Sequence, residues 1–161
     1  MDENPSDLWK QLPSVNLIED IASAKAWLEA QLPTTNAPTL VYLGLDTLNM
    51  EGGQGSNIEI GWRYGDTKQN TTDWIYADLT YGDSFLIAGL SDIYDVYSRP
   101  EWDQDFSFAD YVLFLAYSGI VLSGAFKDLK RPNSSLFAWG FHDGDVFPLC
   151  RIDGVKVDIL C

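Results

Sequence analysis

Histidine, cysteine and basic side chains are all scarce in this chain, and each scarcity narrows the chemistry open to it. With a single histidine, any imidazole chemistry rests on His142. Two cysteines, Cys150 and Cys161, are too few for a disulfide scaffold, and neither has a partner cysteine at metal-ligand spacing, so both read as reduced thiols and no metal or cofactor is expected. Ten Lys and Arg stand against 24 Asp and Glu, a formal net charge of −14. Such a field repels phosphate backbones and anionic membrane surfaces and attracts cations and basic proteins. Neither nucleic acid nor membrane is an expected partner.

Several motifs are missing as well. No Gly-Lys-Ser/Thr sequence is present, and the glycines at 52, 53 and 55 precede a strand pattern where a phosphate loop needs a helix amino end. No Gly-x-Ser-x-Gly elbow exists for a serine nucleophile. The uncharged run 111–126 is shorter than the roughly 20 residues needed to span a bilayer. Ser118, Gly119, Ser123 and Gly124 interrupt it, so it reads as a buried helix. Residues 1–7 are acidic and polar and do not read as a secretory leader, which gives a cytoplasmic expectation.

What is present is apolar mass. Hydrophobic residues make up 46% of the 161 and aromatics 14%, enough to offset chain entropy in one core. A single domain over 1–161 is expected, with residues 1–12 as a loosely ordered arm. Asn16 and Glu19 form a capping pair for a helix to about Leu32, its apolar stripe being Leu17, Ile21, Ala24 and Leu28. Strands follow at 39–48 and at 58–64, where Ile58, Ile60, Trp62 and Tyr64 alternate with Glu59, Gly61 and Arg63. Residues 74–81 read as the antiparallel partner of the second strand.

A helix capped by Asp83 or Ser84 runs to Tyr97, before Pro100, and a central, largely buried helix spans 107–129 with Ser107 and Asp110 as its capping pair. Three strands at 135–141, 146–152 and 155–160 are separated by Asp143-Gly144 and Asp153-Gly154, both hairpin dipeptides. The predicted class is α+β: an antiparallel sheet of about six strands, ending in a three-strand meander, packed on about three helices.

Two groups of residues suggest function. His142 beside Asp143 and Asp145 supplies an imidazole and carboxylates, the parts of a general base or metal site, although the same residues suit a solvated hairpin turn. The stretch 92–108 interleaves Tyr94, Tyr97, Trp102, Phe106 and Phe108 with Asp92, Asp95, Glu101, Asp103 and Asp105. Rings favour interface centres and carboxylates steer basic partners, so Asp92, Asp95, Tyr97, Glu101, Trp102, Asp103 and Asp105 are the candidate partner-binding residues. The alternative is that the rings only pack a helix junction.

In size, charge and aromatic content the chain resembles the small acidic immunity proteins that bacteria pair with toxins. That resemblance implies a binding protein that neutralises a basic toxin such as a nuclease. A hydrolase built on His142 is the rival expectation. A homodimer or structural subunit with close helix contact at Gly119 and Ser123 is the third.

Overall fold

The computed structural model describes residues 15–46, 58–69, 71–97, 109–142 and 144–160. The expected N-terminal arm, the 49–56 loop and the 101–106 connector lie outside those residues. The described elements are α1 (Leu17–Gln31), β1 (Thr39–Leu45), β2 (Ile58–Tyr64), β3 (Thr80–Tyr81), α2 (Ala88–Tyr97), α3 (Ala109–Phe126), β4 (Ser134–Phe141), β5 (Val146–Asp153) and β6 (Lys156–Ile159). The α+β class, with three helices and a six-stranded sheet, is as the sequence predicts.

The strand order is β3-β2-β1-β4-β5-β6. Every pair is antiparallel except β1 with β4, which run parallel from Thr39↔Ser135 to Leu45↔Phe141. The long connection through α2 and α3 permits that pairing, since parallel neighbours need a crossover. Flanked on both sides and covered on both faces, β1 is buried along its whole length. One core joins Val41, Leu43, Ile60, Phe137 and Ile152 of the sheet to Leu28, Leu90, Leu122 and Phe126 of the helices. A smaller cluster lies on the opposite face, where Trp74 and Leu79 cover Leu40, Tyr42, Leu136 and Ala138.

Trp74 explains a difference from the sequence reading. Residues Asp73–Tyr76 form a 3-10 turn that seats this indole, whose Nε1 donates to the Thr71 carbonyl at 3.0 Å. Only Thr80 and Tyr81 are left to pair with Trp62 and Gly61. The second helix also begins later than expected. Phe85 and Ile58 exchange both backbone hydrogen bonds, at 2.8 and 2.9 Å, which holds the chain extended until Ala88.

The meander contains a bulge: Phe137 pairs with Cys150 and Ala138 with Pro148, leaving Leu149 as the extra residue. A bulge suits a proline that has no N–H to donate, and it turns the adjacent Leu149 and Cys150 both into the main core. Gly154, at φ 64, takes the left-handed conformation in the second hairpin turn. In the first turn the Gly144 N–H donates to the Phe141 carbonyl at 3.2 Å.

The helix α3 is central, packing against both other helices and the sheet, with Phe114, Ser118, Val121, Leu122, Ala125 and Phe126 buried. Its outward face leaves Val112 and Ile120 exposed. Among the described residues no helix is long and apolar enough to cross a membrane.

A polar clamp fixes the entry to β4. Arg131 is 7% exposed, and it donates from Nε to Ser135 and from Nη2 to the Pro33 carbonyl at 2.7 Å. Burial lowers its pKa from the usual guanidinium value. Asn133 donates to the carbonyls of Thr35 and Ala37 and to the Thr39 hydroxyl, tying the α1–β1 loop to the sheet. Asn133→Ala removes all three bonds and leaves the buried Thr39 hydroxyl without this donor, so urea unfolding should show a loss of about 1 to 3 kcal/mol at unchanged m-value.

Candidate functional site

The stripe that α1 buries is not the one its periodicity predicts. Asp20, Ala24, Trp27 and Leu28 face inward, whereas Leu17 is exposed and Ile21 half-buried. Trp27 sets this rotation, because its indole N–H donates to the Asp83 carbonyl at 2.8 Å and its ring stacks on Phe85 with centroids 5.1 Å apart. Asn16 caps the helix as expected, accepting from the Glu19 N–H and donating to its carboxylate.

The rotation carries a carboxylate inside. Asp20 is 5% exposed, and its Oδ2 accepts from the Tyr117 hydroxyl at 2.7 Å and from the Gly89 N–H at 3.0 Å. Gly89 is the second residue of α2, so the charge sits against the positive end of that helix. Desolvation, then the hydrogen bond to Asp20, then the charges of Asp20 and Asp92 push the Tyr117 pKa far above the ordinary tyrosine value. A methyl group at Gly89 would lie 2.5 Å from the Tyr117 ring and 2.6 Å from Asp20 Oδ2.

Two depressions flank α1. Between α1 and α2 lies a cleft of about 350 Å³ lined by Asn16, Glu19, Asp20, Ser23, Phe85, Leu86, Ala88, Gly89 and Asp92. Between α1 and α3 lies a wider apolar groove of about 630 Å³, walled by Leu17, Ile21, Leu115 and Ile120, with Trp139 and Lys127 also lining it. Ile18 stands 82% exposed on the first turn of α1 between them. The small residues have internal work here: Gly119 admits the Trp139 ring and Gly124 admits Ile21.

Of the partner-binding candidates, Asp92 and Asp95 are exposed on α2, and Asp92 joins the cleft. Tyr97 ends α2. Glu101, Trp102, Asp103 and Asp105 lie outside the described residues. Tyr94 is half-buried and meets Phe114 edge-on at 6.5 Å, so this ring does pack a helix junction. The other exposed carboxylates are spread over α1, the 66–83 turns and the C-terminal hairpins.

His142 is exposed just after β4, and its Nδ1 lies 3.7 Å from Oε2 of Glu59 on β2. The two face Tyr81, Gly82 and Ser84 in a depression of about 310 Å³. Asp145 is exposed in the turn, and Asp143 lies outside the described residues. No set of three His, Cys, Asp or Glu among the described residues is arranged to hold a metal ion.

The sequence reading missed Asp20, Gly89 and Tyr117. One signal was available, since Asp20 lies four residues before Ala24 and eight before Leu28, a charge on the stripe that packs. Compared with protein-family models, curated proteins and solved structures, the chain matches none.

Loss of the Asp20 junction has a pH signature. A phenol whose folded pKa is raised keeps its full contribution below the ordinary value of 10.0 and loses it as pH rises through the folded value. Denaturant midpoints of the wild type should therefore fall above that pH. Tyr117→Phe should start about 1 kcal/mol lower and show a flatter alkaline limb. Gly89→Ala should destabilise by about 1 to 3 kcal/mol through overlap with the same two groups.

Proposed function

We propose that the chain is a binding protein for a basic protein partner, acting as small acidic immunity proteins do when they neutralise a toxin. The observation that carries this reading is the apolar groove between α1 and α3 lying one helix width from a carboxylate-lined cleft. Exposed Leu17, Ile18, Val112 and Ile120 offer apolar area around that groove. Glu19 and Asp92 offer charge on its far side.

A cationic amphipathic segment matches both. Its apolar ridge enters the groove, and its Lys or Arg residues turn across α1 toward the carboxylates. The formal net charge of −14 accelerates encounter at low salt, whereas the apolar contact slows release. Freedom from nucleic acid follows from the same charge, and it stands with cytoplasmic residence as part of the proposal.

The hydrolase reading draws on the Glu59–His142 pair with Ser84 in the same depression. It differs in which residue matters. A fluorescent Leu/Lys amphipathic peptide should bind the chain and lose about tenfold in affinity between low and physiological salt. Ile120→Glu should weaken it by a similar factor, and His142→Ala should leave it unchanged. Equal binding of a Leu/Glu peptide would overturn the proposal.

A further inference from the structure

We propose that β6, the outer strand at one end of the sheet, pairs antiparallel with β6 of a second copy of the chain, so that two molecules share one continuous sheet in a symmetric dimer. This contact lies apart from the helical groove and does not rest on the reading of a basic partner.

The edge is open for pairing. β6 closes the strand order, and among the described residues no strand pairs with its outer side. Leu160 donates its N–H to the Leu149 carbonyl at 2.9 Å. Backbone groups alternate in direction along an antiparallel strand, so Asp158 and Lys156 also turn theirs toward β5, and Val157 and Ile159 turn theirs outward. Such a row of outward donors and acceptors is a template for another strand. Apolar area lies along it, since Val155 is 80% exposed and Ile159 45%.

The side chains select both the partner and the register. Outward groups of one strand must meet outward groups of the other, which places the two-fold axis on a residue of β6. Centring on Lys156 sets two ammonium groups opposite each other, and centring on Asp158 sets two carboxylates opposite each other; like charges in those positions are destabilising. Centring on Val157 instead places Lys156 of each copy opposite Asp158 of the other on one face. On the other face Val157 meets its counterpart, and Val155 lies opposite Ile159. The strand is therefore complementary to itself, as a two-fold interface requires. Lys156 and Asp158 already form an ion pair of 2.9 Å within one strand, and both side chains are exposed, so a second copy meets them without an unpaired buried charge.

The charge distribution permits the approach. A formal net charge of −14 opposes self-association, but residues 127–161 hold five basic and five acidic residues, so the whole excess lies in 1–126. β6 belongs to the balanced portion, where like copies repel least. Four residues a side make a contact that is small beside the roughly 800 Å² per partner of a standard interface, so the dimer is weak and forms at high micromolar concentration.

The test follows the mass of the full chain by small-angle scattering from about 20 µM to about 1 mM. It should rise from 18.0 kDa toward twice that value. Lys156→Asp and Asp158→Lys, each at an exposed position, should each hold the chain monomeric, because both set like charges opposite one another. Mixing the two variants should restore the dimer, since every charge then meets its opposite, while circular dichroism stays unchanged throughout. Amide hydrogen exchange at Val157 and Ile159 should slow as the wild-type concentration rises. A mass constant at 18.0 kDa, a dimer that both single variants retain, or a mixture that stays monomeric each overturns the edge pairing.

Discussion

Burying a carboxylate costs several kcal/mol unless donors replace the water it loses, and the three helices meet around one such group. Asp20 belongs to α1, receives its hydrogen bonds from α2 and α3, and is the point where the first turns of α1 and α2 are fixed against the middle of α3. The apolar core alone would tolerate some sliding of helices, because dispersion and burial have little direction. A charge with two defined donors does not. Gly89 completes the lock, since any side chain there would occupy the space of the phenol and the carboxylate.

That junction also shapes the surface. By turning Asp20 inward, α1 turns Leu17 and Ile18 outward and leaves a groove against α3 on one flank and a cleft against α2 on the other. The same rotation lets Trp27 stack on Phe85, which the bridge to Ile58 ties to the sheet edge. Internal stability and the exposed apolar face are thus two results of a single helix orientation.

Most of the fold was legible because it is written in local patterns. The alternation in β2, the Asp153-Gly154 turn with its left-handed glycine, and the Asn16 cap each depend on neighbours in sequence. What was not legible depends on distant residues. The parallel pairing of β1 with β4 has no local signature, and Trp74 converts an apolar stretch into a 3-10 turn through contacts with residues more than thirty positions away. The candidate site was read mainly from the 92–108 stretch, of which Asp92 enters the cleft, while Glu19 was seen only as a cap and Asp20 not at all. A single charged residue on an apolar stripe becomes a signal only when its donors, here at positions 89 and 117, are known.

The spread of exposed carboxylates over the described surface bears on how a basic partner would choose its place. A field spread in that way raises encounter rates and favours no single orientation. Selectivity must then come from short-range features, where desolvation magnifies the difference between a satisfied and an unsatisfied charge. Among the described residues, the apolar groove between α1 and α3 lies on the other side of α1 from the carboxylate-lined cleft. Under the proposed reading, long-range attraction would bring a cationic protein to the molecule, and the apolar contact beside those carboxylates would supply the orientation that attraction cannot.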